Sequence, residues 1–167
     1  MYYIGISRTF GNIGILSDDE DFEPIFVPVP ISRTKGKRRL NYTQFRELLE
    51  PYAAIEINEC QKKIIAKAVL ELPLDQPTHY KASTTSIGFF EAERAILDYL
   101  GISVITIEPI RWKHPLFIGK YKKLSHKQAS VEFGNDNWPQ FLQNHQTDRD
   151  GLCLAYWLKE NYLYKPK

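Results

Sequence analysis

Tyr2-Tyr3-Ile4-Gly5-Ile6-Ser7, followed by Asn12-Ile13-Gly14-Ile15-Leu16, is the stretch on which the fold turns. Both runs are rich in β-branched or aromatic residues and Thr9-Phe10-Gly11 between them is turn-prone, so together they read as a β-hairpin. Asp18 to Asp21 form a polar turn. Ile25-Phe26-Val27-Pro28-Val29 then supplies a third strand, whose prolines place it at a sheet edge or end because they cannot donate to a ladder. The N-terminus is therefore expected to hold three antiparallel strands.

Beyond this point the pattern alternates. Asn41 is suited to cap a helix from Tyr42 to Leu49 that puts Phe45, Leu48 and Leu49 on one face, and Glu50-Pro51 ends it. Ala53 to Asn58 is apolar on both faces apart from Glu56, as a central parallel strand would be. Cys60 to Leu74 fits a helix by the spacing of Ile64, Ile65, Ala68 and Val69, and fits a strand by its β-branched content. Thr84 to Leu100 reads as a long helix stopped by Gly101, and Ile102 to Ile107 as a further buried strand. A short helix near Ser125 to Glu132 and a last one from Thr147 to Asn161 complete the chain. The expected class is α/β: a mixed five-stranded sheet, three antiparallel N-terminal strands plus two parallel ones, flanked by helices.

With 167 residues, 43% of them hydrophobic, the chain suits one domain spanning 1–167. A net charge of +2 announces no polyanionic partner by itself, so local clusters carry that question. Lys35-Gly36-Lys37-Arg38-Arg39 is the densest, and Lys120, Lys122, Lys123 and Lys127 form another; each suits either a solvated loop or a phosphate backbone. Two cysteines without CxxC spacing and the lack of a signal-like start point to a reduced, cytoplasmic protein. No apolar run approaches the roughly 20 residues needed to span a bilayer, so the reading includes no membrane segment.

Glu56 interrupts a hydrophobic run, and an ionised group buried there needs a cation, a donor network or a metal ion. Asp150 shares helical spacing with Cys153, Leu154, Trp157 and Leu158, which turns it inward if that stripe packs on the sheet. Thr147-Asp148-Arg149-Asp150 also reads as a variant capping box, with Asp148 the more solvent-facing acid. Trp112 suits core packing better than base stacking.

These residues resemble the RuvC-like Holliday-junction resolvases of the ribonuclease-H-like superfamily over nearly the whole chain. Ile4-Gly5-Ile6-Ser7 is similar to the family's IGID-type first strand, Ile55-Glu56 to its IE motif, and Ser83 to Phe89 to its Ser/Thr-rich helix entry. Glu108-Pro109-Ile110-Arg111-Trp112-Lys113 resembles a TPxxWK segment, and Arg149 to Ala155 an ADALLLA helix start. The resemblance implies Mg²⁺ or Mn²⁺ held by Glu56 and Asp150, branched or double-stranded DNA as partner, and a homodimer for two symmetric cuts; the Thr84–Leu100 helix, with more apolar residues than one face requires, is the interface candidate. The family's first-strand aspartate falls on Ser7, a neutral hydroxyl followed by Arg8. That gap implies absent or reduced cutting and no bound metal, with the Arg8 guanidinium pairing with Glu56 or Asp150 in the metals' place. Two other readings stay open: an active Mg²⁺-dependent nuclease using Glu56, Asp148 and Asp150 with Ser7 as an altered ligand, and an interaction module that keeps only the fold; His145 suits either a contact to the scissile phosphate or an exposed loop. Lys35, Lys37, Arg38, Arg39, Lys113, Lys122 and Lys123 are the expected DNA contacts.

Overall fold

The computed structural model describes residues 1–8, 11–34, 36–53, 65–73, 80–142 and 148–163, with 34, 80–83 and 162–163 described in backbone only. Strand β1 (Tyr2–Ile6) pairs antiparallel with β2 (Asn12–Ser17), and β2 pairs antiparallel with β3 (Ile25–Pro28). The hairpin and the edge position of the proline-bearing strand are as the sequence predicts. On its other side β1 pairs in parallel with β6 (Ala66–Glu71), which pairs in parallel with β7 (Ser103–Ile107), giving the order β3-β2-β1-β6-β7. This is the mixed five-stranded sheet expected, with one correction. The strand beside β1 is Ala66–Glu71, drawn from the segment whose helix or strand character the sequence left open, and not Ala53–Asn58. Ala66, Ala68, Val69, Leu70 and Glu71 are all buried, as a strand covered on both faces must be. Ala53 follows a short turn of 3₁₀ helix, Glu50–Tyr52, and 54–64, including Glu56, lie outside the described residues.

A second, two-stranded sheet is made by β4 (Ile31–Thr34) and β5 (Lys37–Leu40), turning at Gly36 with φ of +76°, a conformation open to glycine at little steric cost. The helices are α1 (Tyr42–Leu49), α2 (Tyr80–Tyr99), α3 (Pro109–Leu116), α4 (His126–Asn137) and α5 (Asp150–Leu163). Asn41 caps α1 by accepting the Gln44 N–H, and Ser125 and Gln128 form a reciprocal capping box on α4.

Alternation along the strands divides the core into two layers. Ile4, Ile6, Ile13, Ile15, Ala68 and Leu70 face α1 and α2, whereas Tyr3, Leu16 and Val69 face α3, α4 and α5. Gly5 and Gly14 are directly opposite in the β1–β2 register, on the α5 face. A Cβ on Gly5 would collide with the Gly151 carbonyl, and one on Gly14 with the Leu152 backbone. This bare patch lets the backbone of α5 settle onto the sheet and fixes where the first residue of α5, Asp150, stands.

Candidate functional site

The C-terminal ends of β1 and β6 lie side by side, Ile6 opposite Leu70, so Ser7 and Glu71 leave the sheet as neighbours. Val69 faces α5, and by alternation so does Glu71, whose side chain is 1% exposed. Four donors surround it. The Arg8 backbone N–H and Nε each lie 3.3 Å from Oε2, while Trp112 Nε1 donates to Oε1 at 3.3 Å and Lys113 Nζ lies 3.4 Å from the same oxygen. A carboxylate so deeply buried survives ionised only with such partners.

Lys113 also reaches the other acid. Its Nζ lies 3.1 Å from Asp150 Oδ2, and its side chain is only 6% exposed. The ammonium therefore bridges β6 and α5, resting 4.8 Å above the Trp112 ring. Burial raises the Asp150 carboxyl above its ordinary range, and the Lys113 charge opposes that rise. Lys113 was expected on the DNA surface. Its position is a correction with a simple cause: α3 follows β7 directly and turns its Trp112-Lys113 face inward against two acids, so the cation is consumed inside the molecule. Trp112, fully buried, is core as expected.

Ser7 is turned away from these charges. Its Oγ accepts the Asn12 N–H at 2.8 Å and donates to the Asn12 carbonyl at 3.2 Å, closing the mouth of the β1–β2 hairpin. Asn12 in turn anchors α5: its Nδ2 donates to Asp148 Oδ1 and its Oδ1 accepts the Gly151 N–H, both at 2.6 Å. Asp148 also accepts the Asp150 N–H at 3.3 Å, the helix-entry role that its spacing suggests.

Arg8 does pair with an acid, as the sequence suggests, but with Glu71 and not Asp150; Glu56 and His145 lie outside the described residues. Two residues escaped the sequence reading. Glu71 ends the run Ala66 to Leu70 as an acid ending a buried strand, a signal masked by the similar look of Ile55-Glu56. Glu93, 3% exposed on α2, stands one turn from Phe89 and Phe90 and one turn from Ile96 and Leu97, so an acid inside that apolar stripe was its mark. Burial pushes its carboxyl up to about 8.

The divalent ions implied by the resemblance do not fit the groups as arranged. Lys113 takes an oxygen from each of Glu71 and Asp150, Ser7 is engaged by Asn12, and no set of three or more His, Cys, Asp or Glu side chains converges among the described residues. Of the remaining basic residues, Lys37, Arg38 and Arg39 on β5 are exposed, as are Lys122 and Lys123; Lys35 lies outside the described residues.

No family model and no curated protein matches this sequence. Solved structures do match. One is the RuvC of T. thermophilus in complex with Holliday junction substrate, with a TM-score of 0.54 at 12% identity, covering 98% of this chain and 94% of that one. Another is a Thermus thermophilus RuvC structure, with a TM-score of 0.52 at 12% identity over the full length of both chains. The fold of this chain is that of RuvC.

Proposed function

We propose that this chain is a RuvC-like protein, a single domain over 1–167, that binds branched or double-stranded DNA and cuts it weakly or not at all. The observation that carries the second half is the Lys113 ammonium between Glu71 and Asp150. An ammonium pairs with both carboxylates and occupies an oxygen of each, but offers no vacant coordination position to activate water or to steady a leaving oxygen. Ser7 reinforces this, because a hydroxyl cannot supply the bridging anion that a first-strand aspartate would.

The first half rests on fold likeness and on charge. Between Glu23 and Glu47 the chain has no acidic residue, while Arg33, Lys35, Lys37, Arg38, Arg39 and Arg46 fall within that interval. The β4–β5 register sets Arg33 opposite Arg38, which gathers these cations on one hairpin, where a phosphate backbone could meet them. Lys122 and Lys123 extend the set of exposed cations. Homodimerisation through α2, whose Ile87 and Tyr99 are exposed, belongs to the same proposal.

The test is a competition gel shift at low salt between a synthetic four-way junction and a linear duplex of equal length. Preferential retention of the junction is expected. Failure to bind either DNA would sink the reading and leave a protein that keeps only the fold.

A further inference from the structure

Glu93 is not explained by packing. It sits on α2 among Phe89, Phe90 and Leu97, its Oε1 is buried, and that oxygen has no hydrogen-bond partner among the described residues. Buried polar atoms of this kind call for an explanation, commonly a water or an ion. Beside Glu93 lies a cavity of about 10 Å³ lined by Arg8, Glu71, Pro73, Ser86, Phe90 and Glu93. That is close to the space occupied by one small sphere, a water or a single metal ion. Ser86, Phe90 and Glu93 follow one another at helical spacing, so α2 presents a hydroxyl, a ring and a carboxyl along the same wall. Glu71 supplies the opposite wall.

The two oxygens of Glu71 are held differently. Oε1 takes Trp112 and Lys113, both fully or nearly buried, whereas Oε2 takes Arg8, whose side chain is 39% exposed. Only Arg8 can leave for solvent without a large rearrangement. With Arg8 withdrawn and the Glu93 proton displaced by the incoming ion, Glu71, Glu93 and Asp150 present three carboxylates against one ammonium. The remaining deficit is two negative charges, which one divalent cation balances.

We propose that Glu71 Oε2, Glu93 and the Ser86 hydroxyl form a binding site for a single hard divalent cation, which the Arg8 guanidinium fills by default. The acidic corner lacking at Ser7 on β1 is thus supplied from α2, on the other side of Glu71. Carboxylate and hydroxyl oxygens with water completing the shell suit Mg²⁺ or Mn²⁺. Lys113 stays in place on Asp150, so the site takes one ion and not a pair, which agrees with weak or absent cutting. The inference concerns metal binding by the free protein and is separable from DNA recognition.

Mn²⁺ alone is the probe, its free concentration followed by electron paramagnetic resonance during titration of the folded protein without DNA. Wild type is expected to bind one Mn²⁺ saturably. Glu93→Gln, which keeps the shape of the side chain, is expected to weaken binding by about tenfold or more, and Arg8→Ala to strengthen it by a similar factor. Asp150→Asn is expected to change affinity far less than Glu93→Gln. Equal Mn²⁺ affinity in wild type and Glu93→Gln, or loss of binding in Asp150→Asn with retention in Glu93→Gln, would overturn the proposal. So would an absence of saturable binding in both wild type and Arg8→Ala. None of these results bears on the junction gel shift.

Discussion

Lys113→Met removes the charge that holds two acids together while keeping most of the side chain's volume. Glu71 is 1% exposed and Asp150 14%, so neither acid regains full hydration when the ammonium goes. Breaking a buried ion pair from one side costs about 3–5 kcal/mol. Arg8 still neutralises part of Glu71, which favours the lower end of that range. For a chain of this length about 3 kcal/mol lowers Tm by roughly 6–12 °C. Acid should narrow the gap. Burial already raises the Asp150 carboxyl, and without Lys113 only the Ser130 hydrogen bond opposes that rise. A carboxyl with a raised folded pKa penalises the folded state as pH climbs from its unfolded value through its folded value. The deficit of Lys113→Met is therefore largest near neutral pH, shrinks as pH falls through the raised folded value, and is smallest below about pH 3, where Asp150 is protonated in both states. Urea titrations of wild type and variant at several pH values measure this. Adding Glu71→Gln to Lys113→Met should restore part of the loss, as a coupled pair does in a double-mutant cycle. A deficit below about 1 kcal/mol, or one that does not vary with pH, would refute the claim that Lys113 neutralises these acids.

Glu93→Gln should flatten the stability profile of the metal-free protein. A carboxyl whose pKa is raised from 4.5 to about 8 costs the wild type stability that is lost between those two values, of order 5 kcal/mol, and the amide does not titrate; chemical denaturation across that window measures the difference. Asn12→Ala removes both 2.6 Å bonds that seat the start of α5 and should destabilise by about 3 kcal/mol, with hydrogen exchange accelerated first at Gly151. If the β4–β5 hairpin lies on DNA, changing Arg38 and Arg39 together to Ala should lower the slope of log affinity against log salt by about 1.8, as fluorescence anisotropy would report.

The order of the elements was legible because it rests on local signals: the hairpin at Gly11, the prolines of β3, the helix stop at Gly101. Which apolar run pairs with β1 was not. Ala53 to Ile57 and Ala66 to Glu71 are both short, apolar and acid-bearing, and only tertiary pairing chooses between them. Asp150 was legible because a helix start fixes its direction. Lys113 was not, since a lysine four residues after a helix-opening proline looks solvent-facing until the buried acids it meets are known. Glu93 shows the converse: a long helix with many apolar residues hides one acid on its inner face unless each position of the stripe is checked in turn.

The most direct measurement is cleavage of a labelled four-way junction in Mg²⁺ or Mn²⁺ under conditions where binding is complete. Wild type should retain the junction and leave its strands intact, or nick them only marginally. Efficient nicking by wild type that disappears in Glu71→Gln would contradict the account.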